Sequence, residues 1–232
     1  MASLPTMREA AQASIKEFYT GNRVLTAIAE GVWTREDYAR LLFNLFHQVH
    51  TGTLSFGVAA AHCRPQWVQL REYLLAHAAE EMRHYEWARQ DLRSIGVETE
   101  PAETLPSPEV LAFVSLNHFA AGFLAPARLA SSAVLEGLAR RSDSRERLKH
   151  VERIGLSAGN FSFILEHSVA DATHENEVWS VLETVTLSEA EWRWMAHFTT
   201  VAGRLYKKMY DSTVPFGRLA SDLGEMKAAS GF

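Results

Sequence analysis

A single cysteine, Cys63, stands in 232 residues, so the chain cannot close an internal disulfide, and a reducing, cytoplasmic setting is expected. Long apolar runs are missing too. The most apolar stretch, Leu111 to Ala127, is broken by Asn117, His118 and Pro126. It falls short of the ~20 residues that span a bilayer, so no transmembrane helix is expected. From Met1 to Lys16 nothing forms the uninterrupted apolar core of a signal peptide. Basic charge is scarce: 23 Lys and Arg face 28 Asp and Glu, for a net charge of -5. With no long basic run, neither nucleic acid nor a membrane surface is an expected partner. No stretch reads convincingly as a strand, and low-complexity tracts and solenoid repeats are absent.

What is present is apolar and helical. Apolar residues make up 47% of the chain, ample for a sizeable core, and one domain over residues 1–232 is the simplest organisation. A first helix runs from about Pro5 to Glu30, with Gly21-Asn22 as a point of interruption and Gly31 as a stop. Thr34 and Asp37 approximate a capping box that opens a long helix through Leu41, Leu45 and Val49 toward Ala61, carrying His47 and His50. Pro65 begins a third helix that ends at Gly96, and the acidic, proline-bearing segment Val97 to Pro108 is a loop. Ser107-Pro108 caps the next helix, which Pro126 kinks or splits and whose later half holds Glu136. After a charged turn from Arg140 to Arg147, another helix begins near Arg145. Ser188 and Glu191 then form a capping box for a last long helix that ends by Pro215. The expected fold is all-α, with seven or eight helices. Apolar stripes this broad leave surface for a homodimer contact.

The third helix concentrates the chemistry. Positions seven apart on an α-helix return to within about 20° of each other, so His77, Glu81 and His84 share a face. That face continues through Leu70, Leu74, Trp87 and Leu92, while Arg71, Glu72, Arg83 and Glu86 fall on the other side. The same spacing returns as His167, Asp171 and His174, in a stripe with Phe163, Ile164 and Val181. Glu136 shares its side of a helix with mostly small residues, among them Ser132 and Ala133. Buried carboxylates and imidazoles are costly unless compensated, and a cation that takes oxygen and nitrogen ligands compensates them. Ten histidines and 28 acids place an acid three positions before a histidine about once by chance. The metal reading therefore rests on the further histidine seven positions upstream, in register both times, and on the inward Glu136.

Each residue also has a plainer reading. His77 alone is more often a packed core histidine than a ligand, and it stands as an alternative ligand or as a residue supporting the ligands. Glu80, four residues before His84, competes with Glu81 but reads rather as an acceptor for an imidazole N–H. His47, His50 and His118 read as pocket-lining or core residues. Three carboxylates and three histidines from three helices supply six ligands to two ions, which suits iron or manganese pairs rather than structural zinc. A ferritin-like bundle would use an acid three residues before a histidine on two helices and a single glutamate from each of two others. Here His167 is an extra candidate and only Glu136 stands isolated, so that fold is the second choice. An iron-storing or iron-sensing protein without turnover is the alternative function.

The segment Glu80-Glu81-Met82-Arg83-His84-Tyr85-Glu86-Trp87-Ala88 is followed by Asp91-Leu92 and Gly96, then by Leu135-Glu136-Gly137 and the run His167, Asp171, His174. In order and spacing these residues resemble the haem-oxygenase-like di-iron oxidases and oxygenases, from the second helix onward. The resemblance implies the all-helical haem-oxygenase-like bundle. It also implies two iron ions held by Glu81, His84, Glu136, His167, Asp171 and His174, with O2 as co-substrate. The implied reaction is N-oxygenation, or oxidative decarboxylation or C–C cleavage, of a small amine or carboxylic acid through a peroxide bridging two irons, with an external electron donor as partner. Thiaminase-type hydrolases share the fold but need a cysteine nucleophile. Cys63 sits at an expected helix C-terminus, where the dipole disfavours a thiolate.

Overall fold

In the computed structural model the described residues are 2–140 and 144–222, with the side chains of 140, 144–147 and 168–173 left aside. They form eleven α-helices and no strand: α1 (Leu4–Tyr19), α2 (Arg23–Ala29), α3 (Arg35–Gly52), α4 (Leu54–Ala61), α5 (Val68–Glu81), α6 (Tyr85–Ser94), α7 (Pro108–Phe123), α8 (Leu129–Arg140), α9 (Ser144–Arg153), α10 (Ser162–Glu183) and α11 (Glu189–Asp211).

The count exceeds seven or eight because long stretches divide at local breaks. Asn22 caps α2 by accepting a 3.1 Å hydrogen bond from Leu25 N, which separates it from α1. Leu124 adopts extended backbone after α7, and the 3-10 turn Ala125–Arg128, with Pro126 lacking an N–H, leads into α8. Helix α9 closes at Arg153, so the second histidine run begins a separate helix, α10. The least visible break, at residues 82–84 between α5 and α6, involves neither glycine nor proline.

Capping explains several of the boundaries. Thr34 with Asp37, and Ser188 with Glu191, form reciprocal capping boxes, and Ser107 accepts from Val110 N ahead of Pro108. Gly96, at φ +79, ends α6 in the left-handed conformation, with Val97 N bonded back to Leu92 O at 3.0 Å. Helix α10 has no side-chain cap of its own. Buried Asp91, from α6, takes that place by accepting from Ser162 N and Phe163 N, each at 2.9 Å, and from Ser162 Oγ at 2.6 Å. Tyr38 Oη of α3 donates to the same carboxylate at 3.3 Å.

The packing places α8 at the centre, against α1, α10 and α11, while α10 also touches α5 and α6. Along α1 and α11 the backbones approach closely, since a Cβ on Gly203 would come 2.5 Å from that of Ser14. The three helices that carry the expected metal donors thus meet around one interior. No helix of the described residues is long and apolar enough to cross a membrane.

Candidate metal centre

Helix α5 presents His77 and Glu81 one turn apart, and the joint that follows delivers His84. There the backbone hydrogen bonds tighten to the i−3 pattern: His84 N bonds Glu81 O at 3.2 Å and Trp87 N bonds His84 O at 3.1 Å. Three of the donors come from this one strip of chain, Glu136 comes from α8, and His167 and His174 come from α10.

The donors gather in two groups. His77, Glu136 and His174 form the first, with one donor atom of each within 4.8 Å of the others and exposures of 2%, 8% and 8%. His77 Nε2 stands 4.0 Å from Glu136 Oε1, and His174 Nδ1 stands 3.9 Å from Glu136 Oε2. These gaps are too long for hydrogen bonds. They fit an ion, because donors bonded to one metal at about 2.0–2.2 Å lie about 3–4 Å from each other. Glu80, mostly exposed, places Oε2 3.6 Å from His174 Nε2 and 4.0 Å from His77 Nδ1. His77 Nδ1, on the side of the ring toward Glu80, is buried with no hydrogen-bond partner among the described residues. Burial drives the His77 pKa down to about 4, against a rise from Glu81 and with further lowering from His174 and Arg128. The ring is therefore neutral at ordinary pH, the form that ligates.

The second group is Glu81, His84 and His167, all partly buried. His84 Nδ1 donates to Glu81 Oε2 at 2.9 Å, and the His84 and His167 rings lie 4.9 Å apart. His167 Nδ1 bonds the Phe163 carbonyl at 2.8 Å, which assigns Nε2 as the lone-pair nitrogen. Trp87 stacks on His84 at 4.2 Å. Burial raises the Glu81 pKa, but the hydrogen bond from His84 and the charges of His84, His167 and His77 outweigh it. The carboxyl ends below its ordinary range.

Of the expected ligands, Glu81, His84 and His167 meet in one group and Glu136 and His174 in the other. His77, held as an alternative ligand, completes the latter. The side chain of Asp171, on α10 between the two histidines, lies outside the described residues. An apolar cavity of about 350 Å³ adjoins both groups, and Glu81, Glu136 and His167 form part of a wall otherwise built of residues such as Phe18, Trp33, Leu41 and Ile164. His47, His50 and His118 are not in that wall. His47 bonds Thr104 Oγ1 at 2.8 Å, His50 stacks on Phe46 at 5.4 Å, and His118 reaches the Thr51 carbonyl at 3.3 Å. Further polar residues of the wall include Gln48, His150 and Tyr210, which no spacing pattern singled out.

Comparison with known proteins agrees with this architecture. Solved structures resemble the chain across most of its length. A domain of unknown function with a heme oxygenase-like fold from Shewanella denitrificans has a TM-score of 0.76 and 16% identity, covering 99% of this chain and 96% of that one. A TenA homolog from Pseudomonas syringae gives 0.66 and 11%, over 90% of each chain. Heme oxygenase-2 from Synechocystis, in complex with heme and NO, gives 0.65 and 17%, over 99% of this chain and 88% of that one. At these identities the likeness is one of fold. No curated protein matches the chain in sequence. Residues 44–201, which hold every donor described above, match the family of iron-containing redox enzymes, and the chain belongs to that family.

Proposed function

We propose that this chain is a non-haem di-iron enzyme that uses O2 to oxidise a small, largely apolar amine or carboxylic acid. The observation that carries the reading is the pair of three-donor groups. Each offers two imidazoles and one carboxylate, the donor set suited to iron(II) with open positions. His77, Glu136 and His174 would hold one ion with Glu80 in reach, and Glu81, His84 and His167 the other, with Asp171 as a further carboxylate from α10. Bound there, iron would supply the electrons and Lewis acidity that O2 chemistry needs.

The chain's own part is positioning and exclusion. Glu81 and Glu136, both turned toward the cavity, supply anionic charge beside the imidazoles. The apolar wall takes the body of the substrate, keeps water out, and turns the polar end toward Glu81, Glu136 and His167. An external electron donor completes the turnover. A thiol-dependent hydrolase on this fold is disfavoured, because Cys63 is absent from the cavity wall and burial pushes its thiol pKa up.

Anaerobic Fe(II) titration tests the reading. Binding is expected to saturate at about two equivalents, and O2 uptake by the loaded protein should accelerate with particular members of a panel of apolar amines and carboxylic acids. Saturation by one tightly held zinc ion, with no O2 uptake, would sink it.

A further inference from the structure

Arg128 ends the 3-10 turn that leads into α8, and its side chain is buried. The guanidinium is bonded to hydroxyls: Nε donates to Ser55 Oγ at 2.5 Å, and Nη1 donates to Ser131 Oγ at 2.8 Å and Ser132 Oγ at 3.2 Å. Among the described residues it forms no ion pair with a carboxylate. A buried charge with no counter-charge in direct contact is costly, and a neutral amide could knit α4, the turn and α8 through the same serines. The charge itself therefore calls for a use.

Its surroundings point to one. The guanidinium carbon lies 3.6 Å over the Phe56 ring, and that ring meets the His77 imidazole edge-on at 4.7 Å. Burial lowers the Arg128 pKa to about 10, partly offset by Glu136 and Glu81, so the group stays protonated at neutral pH and lies within the field of both carboxylates.

We propose that Arg128 is a positioning residue whose fixed positive charge, set behind His77, biases the iron pair toward Fe(II). The inference rests on the di-iron reading above. A nearby fixed cation penalises the extra positive charge of Fe(III) more than it penalises Fe(II), so the reduction potential rises.

Three variants test this through the midpoint potential and the iron stoichiometry, neither of which depends on turnover. Arg128→Gln should lower the potential by an amount equivalent to about a tenfold change in the Fe(III)-to-Fe(II) affinity ratio, or about 59 mV for a one-electron couple. Ser55→Asp leaves the arginine in place but sets a carboxylate against Nε, and it should shift the potential in the same direction. It decides the matter if the glutamine variant does not fold. Arg128→Lys keeps the charge and should stay near the wild-type potential. An unchanged potential in either neutralising variant at wild-type stoichiometry, or a lysine variant that falls as far as glutamine, would overturn the inference alone. Wild-type protein that takes up no iron would overturn the di-iron reading, and this inference with it.

Discussion

At His77 two requirements coincide: the ring must pack among Phe56, Tyr73 and His174, and it must present a lone pair to an ion. His77→Gln is expected to reduce iron content from about two equivalents to about one, read by metal analysis after loading and desalting. Retention of both would leave His77 a packing residue. The same ring gives the metal-free protein a pH signature. Its folded pKa of about 4 lies below the ordinary 6.5, so between these values the unfolded chain binds more protons. Stability should be fully present above about pH 6.5 and fall by roughly 3 kcal/mol as pH drops toward 4. Urea unfolding across that range measures the slope, which His77→Gln should remove. The histidine and acid spacings were legible in the sequence because helical geometry is local. Their division into two groups was not, since a helical wheel carries no information about where Glu136 of α8 arrives.

Among the elements, α10 takes its cap from a neighbour. Its first turn is capped by Asp91 of α6, whose burial raises the carboxyl's pKa although Ser162, Phe163 and Tyr38 all donate to it. Asp91→Ala should cost about 3 kcal/mol, from the lost cap and from charged hydrogen bonds left unmade. Because α10 carries His167 and His174, iron affinity should fall with stability. Denaturant unfolding and Fe(II) titration of the variant check both, and unchanged iron affinity in a destabilised protein would separate the cap from the site. Helix starts such as Thr34, Ser107 and Ser188 were readable, because each cap lies within three residues of the groups it satisfies. The cap from Asp91 reaches across 71 positions of chain. The break at residues 82–84 was not readable either, as neither glycine nor proline marks it.

For the whole molecule, two ions shared among α5, α8 and α10 should act as a clamp. With Fe(II) at a hundredfold over its dissociation constant, each site adds about 2.7 kcal/mol. In a chain of this length that raises Tm by roughly 5–10 °C per site. Anaerobic thermal scans should show the full shift in wild type and about half in His77→Gln. A shift no larger than that given by Mg(II) would indicate unspecific binding. The all-helical fold was legible from composition and periodicity. The cavity was not, because its wall joins Phe18 of α1, Leu41 of α3, Ile164 of α10 and Tyr206 of α11, positions that only the tertiary fold brings together.

The close seam between α1 and α11 bears on how the protein is made. Ser14 and Thr199, whose hydroxyl and carbonyl meet across it, are 185 positions apart. At about 5–20 residues per second, a ribosome needs roughly 10–40 s to travel between them. Throughout that interval α1, which carries buried Met7, Ala11, Ile15 and Phe18, has only part of its packing, from α8, and lacks α11. Until α11 emerges, the cavity still lacks the wall that Tyr206 and Tyr210 supply, so the site cannot close around a ligand before the last helix is made.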